Sequence, residues 1–351
     1  MAGGIGSRFW PYSRSRHPKQ FQDILGTGET LIQQTAQRFF DICPKENIYV
    51  VTNSIYKDLV KEQLPFMAEE QILLEPVMRN TAPCIAYAAY KIHKKNTDAN
   101  LLITPADHLM TKPQAFEKVA LAGLDYTSSN DSIVTIGVTP NRPDTGYGYI
   151  QYDTSKSDGQ DILAVSQFRE KPDLETAKSF LEAGNFLWNA GIFIWNAKTV
   201  IACFQKFLPA MHEAFSSLHE HYYEPDEAHS LNKVYESCDS ISIDYGIMER
   251  ADNVFVVPCD CGWSDLGTWK SLFEVSEKDE QGNVLQGNIM NYGSNNCLVK
   301  IPEDRLVVVQ GLENYIVVEK DNVLLICDKD QEQRIKSFLS DVKAQKDSKY
   351  Y

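Results

Sequence analysis

Apolar and polar positions follow two rhythms along roughly the first 260 residues. Short apolar runs at Ile48–Thr52, Ile72–Leu74, Leu101–Thr104, Ile133–Gly137 and Val254–Val257 read as buried strands. Between them the apolar spacing is helical. Thr30-x-x-Gln33 forms a capping box ahead of a helix reaching about Phe40. Thr81 stands where an N-cap does, with Pro83 in the first turn, and this helix should run to about Lys94. Another opens near Pro113, and Ala197 to His221 reads as one longer amphipathic helix. Strands alternating with helices predict an α/β domain whose mainly parallel sheet is covered on both faces. Ligands of such sheets sit at the carboxyl ends of the strands, so motifs directly after strands carry the functional information.

The rhythm changes after about Gln281. Val284-Leu285, Ile289-Met290, Cys297–Ile301, Leu306–Val309, Tyr315–Val318 and Val323–Ile326 are short strands separated by Gly, Asn and Asp. Successive strands without helices predict a small all-β, β-solenoid-like unit. Gln331 to Val342 reads as a final helix, and 343–351 as a frayed polar tail. The expected organisation is a Rossmann-like α/β domain over 1–275, then a small β domain with its helix over 281–342, then the tail.

Composition narrows the function. With 351 residues, 43% apolar and 23% charged, the chain can bury a large core. A formal charge of −14 disfavours general binding to nucleic acid or anionic lipid, although a local cluster of Arg and Lys can still hold phosphate. No apolar run approaches the ~20 residues of a membrane span. Eight scattered cysteines, with no export signal recognised, read as reduced thiols of a cytoplasmic protein. Cys259-x-Cys261 has no second pair at zinc-finger spacing.

Six motifs carry candidate chemistry, one of them divided between two segments. Gly3, Gly4 and Gly6 let a backbone approach a phosphate and aim its N–H groups at it, and Arg8 and Lys19 add charge. The spacing matches neither a dinucleotide fingerprint nor a kinase-type phosphate loop. In Glu75-Pro76-Val77-Met78-Arg79-Asn80-Thr81-Ala82-Pro83 a carboxylate could accept from guanine N1–H and N2–H2, but a turn plus a helix cap explains the string equally well. Asp107 follows a strand, as does Asp265 in Trp263-Ser264-Asp265-Leu266-Gly267. Each is either a solvated turn residue or a hard-oxygen ligand of the kind Mg²⁺ takes. Pro140 to Ile150, with Gly146 and Tyr147, is a Pro/Gly loop entering a strand. Glu170-Lys171 is a sugar-and-phosphate pair or an ordinary surface pair. Asn189 offers a donor and an acceptor to vicinal hydroxyls, on what is otherwise a strand with a buried Trp.

Taken in order, these segments resemble the sugar-phosphate nucleotidylyltransferases, and within them the mannose-1-phosphate guanylyltransferase family, from Met1 to about Val342. The resemblance implies transfer of GMP from GTP to mannose 1-phosphate, giving GDP-mannose and pyrophosphate by in-line attack on the α-phosphorus. It implies Mg²⁺ on Asp107 and Asp265, and charge stabilisation by Arg8, Lys19 and the glycine amides. Base recognition falls to Glu75, Arg79, Asn80 and Thr81. The sugar phosphate falls to Gly146, Tyr147, Glu170, Lys171 and Asn189, with Asp244 and Tyr245 closing the pocket. The family also implies a homodimer, and a buried strand ahead of the glycines, so a strand upstream of Met1 is expected. The alternatives are the same chemistry with another NTP and sugar 1-phosphate, such as dTTP with glucose 1-phosphate, or a catalytically silent relative that senses GDP-mannose.

Overall fold

The computed structural model describes residues 1–157 and 161–351. They form two compact units, one of residues 1–3, 38–105 and 110–263, the other of 4–37, 106–109 and 264–351. In chain order the strands are β1 (Val50–Asn53), β2 (Ile72–Glu75), β3 (Asn100–Ile103), β4 (Leu109–Met110), β5 (Ile133–Val138), β6 (Tyr149–Ser157), β7 (Leu163–Arg169), β8 (Phe186–Asn196), β9 (Val254–Pro258) and β10 (Trp263–Ser264). Six more follow: β11 (Val284–Gln286), β12 (Ile289–Tyr292), β13 (Leu298–Lys300), β14 (Val307–Gln310), β15 (Tyr315–Lys320) and β16 (Val323–Asp328).

The first unit is built on a six-stranded sheet in the order β3-β8-β5-β9-β7-β6, beside a parallel β1–β2 pair. The α/β class is as expected, but the pairing differs. β3, β5, β6 and β9 point one way, yet β8 lies between β3 and β5, and β7 between β9 and β6. Hydrogen-bonded neighbours in this sheet are therefore antiparallel except β5–β9. A run buried on both faces, such as β8, announces a strand without announcing its direction. Helix Thr81–Lys95 packs with helix Ala197–Phe207 on one side, and helix Pro113–Ser129 packs on β8 and β3. The continuous helix expected over Ala197–His221 is broken into Ala197–Phe207 and Pro209–Ser216. Pro209 supplies no N–H and drives Leu208 out of the helical region, to φ −135° and ψ 60°.

In the second unit β11, β13 and β15 stack in parallel, with Val284 beside Leu298 and Leu298 beside Ile316, while β12 and β14 form a second parallel ladder. This coil is the solenoid-like arrangement the spacing predicts, closed by antiparallel β16. Its core joins Leu298 and Ile316 to Phe9, Trp269, Ile335 and Leu339. The final helix is Ile335–Gln345, preceded by a tight turn over Lys329–Arg334. The tail is docked rather than frayed: Trp10 Nε1 donates to the Tyr350 carbonyl (2.8 Å) and Arg14 to that of Lys349 (2.6 Å).

Candidate active site

In the second unit the glycine loop turns on Gly6, at φ 71°, a region other residues rarely occupy. A Cβ there would also fall 2.5 Å from that of Lys19. The close approach follows from Lys19 N–H donating to the Ile5 carbonyl (3.2 Å), so loop and lysine are one construction. The Lys19 ammonium is buried and has three acceptors for its three protons: Asp107 Oδ2 at 2.8 Å and the carbonyls of Asp265 and Leu266 at 2.8 and 3.0 Å. Leu266 takes a left-handed φ of 42°, and Gly267 N–H donates to Asp265 Oδ1 (2.9 Å), holding that turn. Burial pushes the Asp107 carboxyl up, but Lys19 and His108, whose Nε2 lies 4.0 Å away, outweigh it and hold it below the usual range. Arg8 Nε is buried without a hydrogen-bond partner.

The Asp107 carboxylate and the Asp265 carbonyl thus meet the ammonium of Lys19 from separate stretches of chain. Among the described residues no group of three His, Cys, Asp or Glu side chains could hold a metal. Carboxylate oxygen is the donor type that Mg²⁺ takes, and the Asp265 carboxylate is turned to Gly267 N–H while its carbonyl meets Lys19.

The first unit holds two other clusters. At the end of β2, Glu75 is 3% exposed, and Tyr235 donates to its Oε1 at 2.9 Å. Burial pushes the Glu75 carboxyl up to about 7, against the lowering pull of Tyr235 and the Met1 ammonium. The helix after it is capped by Asn80 and not, as expected, by Thr81. Asn80 takes φ 69° and accepts from Thr81 N–H, and Thr81 is the first helical residue. Thr81 Oγ1 instead accepts from Ile243 N–H (2.8 Å), and Arg79 Nε is buried without a partner.

The residues that the sequence assigns to the sugar phosphate lie at the junction of β6, β7 and β8. Asn189 Nδ2 donates to Asp244 Oδ1 (3.0 Å), while its Oδ1 accepts from Gly191 N–H (3.0 Å) and Thr135 Oγ1 (3.3 Å). Glu170 is buried and ion-paired with Lys171, which takes φ 44°. A Cβ on Gly148 would lie 2.5 Å from Glu170 Oε2 and 3.2 Å from Asn189 Cβ, so only glycine leaves this face open. Burial, then the charge of Glu170, pushes the Asp244 carboxyl up to about 6. In the adjoining loop Asp144 accepts from Gly146 N–H (2.8 Å) and pairs with Arg142 (2.9 Å), and Tyr147 packs edge-on against Trp188 and Trp263.

Sequence reasoning missed Tyr235, Thr135 and Glu249, whose carboxylate accepts from Glu170 N–H at 2.9 Å. Each is hydrogen-bonded to a partner distant in sequence and stands in no motif.

Residues 1–282 match the nucleotidyl transferase family model, and residues 287–341 the MannoseP isomerase/GMP-like beta-helix domain. Mannose-1-phosphate guanylyltransferase RfbM of Salmonella typhimurium is 36% identical over 355 residues, covering 100% of this chain and 73% of its own length. Alginate biosynthesis protein AlgA of Pseudomonas syringae is 38% identical, covering 98% and 71%. A solved structure from Thermus thermophilus, described as a mannose-1-phosphate geranyltransferase, superposes with a TM-score of 0.88 at 29% identity, covering 98% of each chain. The chain belongs to the nucleotidyl transferase family, and within it to the mannose-1-phosphate guanylyltransferases. It is a nucleotidyltransferase enzyme with a β-helix-like carboxyl-terminal domain.

Proposed function

We propose that this enzyme transfers GMP from GTP to mannose 1-phosphate, giving GDP-mannose and pyrophosphate. The observation that carries this reading is the meeting of the Lys19 ammonium with the Asp107 carboxylate and the Asp265 backbone carbonyl, from segments distant in sequence. A site that gathers the phosphates of two substrates needs concentrated cationic charge, because their mutual repulsion is strong in a confined cleft. Arg8, with a buried Nε lacking an acceptor, and the amides of Gly3, Gly4 and Gly6 stabilise charge on the departing pyrophosphate. Lys19 supplies charge and, through Asp107 and the 265–266 carbonyls, fixes the turn bearing Asp265.

Asp107 and Asp265 would hold Mg²⁺, which would supply positive charge beside the phosphates. Glu75 accepts from the guanine edge, and Arg79, Asn80 and Thr81 form the turn beside it. Glu170, Asn189 and Asp244 present buried acceptors and one amide donor to the mannose hydroxyls, Gly146 and Tyr147 cover the sugar, and Lys171 binds its phosphate. The sugar phosphate is already ionised at neutral pH, so orientation and charge stabilisation act without a general base.

The enzyme works in the cytoplasm as a homodimer. Among the described residues no helix is long and apolar enough to cross a membrane. Leu306, Val308, Leu324 and Ile326 expose an apolar face on the β unit that self-association would cover. Sedimentation as a monomer at micromolar concentration would overturn the dimer.

Pyrophosphate release measured across four NTPs and several sugar 1-phosphates tests the reaction. GTP with mannose 1-phosphate should turn over fastest. Faster turnover of dTTP with glucose 1-phosphate refutes the substrate assignment. Binding of GDP-mannose without turnover in the presence of Mg²⁺ refutes catalysis in favour of a sensor.

A further inference from the structure

Glu75 is an unusual group with which to read a base. Its carboxyl is almost wholly buried at the end of β2, and no lysine or arginine is hydrogen-bonded to it among the described residues. Such a carboxyl drifts toward its neutral form. A neutral carboxyl presents an O–H where guanine also presents donors, at N1 and N2, so recognition needs the ionised form. The polar hydrogen in contact with it belongs to Tyr235, from the helix Glu227–Ser237.

Tyr235 is itself fully buried. Its hydroxyl donates to Glu75 Oε1 at 2.9 Å, with the Pro83 carbonyl a weaker second acceptor at 3.3 Å. Its ring is fixed edge-on against Phe215, with centroids 5.9 Å apart. The other titratable groups facing Glu75 are the Cys84 thiol, from the helix Thr81–Lys95, and the Met1 ammonium. Oε2 lies on the Gly3 side, where a Cβ would stand 3.6 Å away, so bare backbone borders it.

The geometry points to Tyr235 as a positioning residue for guanine recognition. Its hydroxyl pins one oxygen of Glu75, fixes the carboxylate plane and keeps it ionised, so that the remaining acceptor capacity meets the base edge. This deepens the reading of Glu75 as the guanine-reading residue and rests on it. The chain from Tyr235 also continues to Ile243, whose N–H donates to Thr81 Oγ1, so the segment is anchored at both ends of the base-reading stretch.

The test is the pH dependence of KM for GTP, compared with ITP, which lacks the 2-amino group. In the native enzyme KM for GTP should fall as pH rises through the Glu75 transition, near 7. Tyr235→Phe keeps the ring and removes the donor. It should raise KM for GTP about tenfold at pH 7, as expected for loss of a hydrogen bond to a charged group. It should also move the midpoint upward by about one pH unit while kcat at saturation changes little. Incorporating 3-fluorotyrosine at 235, a stronger donor of nearly equal size, should move the midpoint downward, which covers the case in which the Phe variant does not fold. An unmoved midpoint in these variants overturns the proposal. If Glu75→Gln meanwhile lowers the preference for GTP over ITP, the reading of Glu75 itself stands. If Glu75→Gln leaves that preference intact, the base-reading assignment fails and the positioning role fails with it.

Discussion

Replacing Lys19 by Met tests whether this lysine is primarily a keystone of the loop or a free cation for phosphate. Met fills most of the lysine volume and supplies neither charge nor donor. The substitution strands Asp107 Oδ2 and the carbonyls of Asp265 and Leu266, which the ammonium satisfies at 2.8–3.0 Å. Removing one partner of a buried ion pair costs about 3–5 kcal/mol. The lysine side chain is 5% exposed but that of Asp107 is 31% exposed, so water can reach the orphaned carboxylate and the loss should lie at the low end, about 3 kcal/mol. At about 2.1 cal/mol/K of unfolding entropy per residue, a cooperative chain of this length loses roughly 4 °C of Tm. If the two units melt separately, the fall belongs to the unit containing residues 4–37 and 264–351. The double variant Lys19→Met, Asp107→Leu removes both charges and should recover more than half of the loss, although neither variant should release pyrophosphate. Calorimetry of the two single variants and the double closes the cycle. A Tm within 1 °C of native for Lys19→Met, or strictly additive losses, would refute the keystone role.

Gly6→Ala should destabilise the same unit by at least ~1 kcal/mol, because it combines an unfavourable positive φ with a Cβ 2.5 Å from that of Lys19; an unchanged melting curve would contradict this. Gly148→Ala drives a methyl onto Glu170 Oε2 and should raise KM for mannose 1-phosphate well above any change in KM for GTP; the opposite pattern removes Glu170 from the sugar site. Glu75 gives a pH signature of known sign. Its folded value is raised to about 7, so its contribution to stability is fully present below the unfolded value near 4.5 and is lost as pH rises through 7, about 3 kcal/mol in all. The stability difference between native protein and Glu75→Gln, from urea titrations at pH 4.5 and 8, should therefore change in favour of the variant as pH rises, and a flat difference rejects the raised value. Chelation with EDTA should abolish pyrophosphate release and Mg²⁺ should restore it; full turnover in EDTA removes the metal role of Asp107 and Asp265.

The parts of this molecule that were legible in the sequence are those whose meaning is local. The glycine run with Arg8 and Lys19 close behind it marked the loop, position after apolar runs marked Asp107 and Asp265, and the fold brought Lys19 to both. The Thr30–Gln33 pairing was legible for the same reason, with Thr30 N–H donating to Gln33 Oε1 at 2.9 Å. What was hidden depends on partners far along the chain. Tyr235 meets Glu75 across 160 residues, and nothing in the spacing around a tyrosine on an amphipathic helix sets it apart from a core residue. The placement of β8 between β3 and β5 was hidden too, because an apolar run specifies burial and leaves strand order to global packing. The choice of Asn80 over Thr81 as cap turned on a positive φ, which Asn tolerates and a β-branched Thr does not.

β8 has a consequence for how this family can vary. It is laced to β3 and β5 and, near Trp188, to β6, so its register is set by three independent ladders. Side chains along a strand alternate between faces, and a single inserted or deleted residue would turn Asn189 away from Asp244 and bury the wrong face of every residue beyond it. Length changes in descendants of this chain should therefore accumulate in the connections around β8, while the strand itself serves as a fixed ruler that sets where Asn189 stands against Asp244.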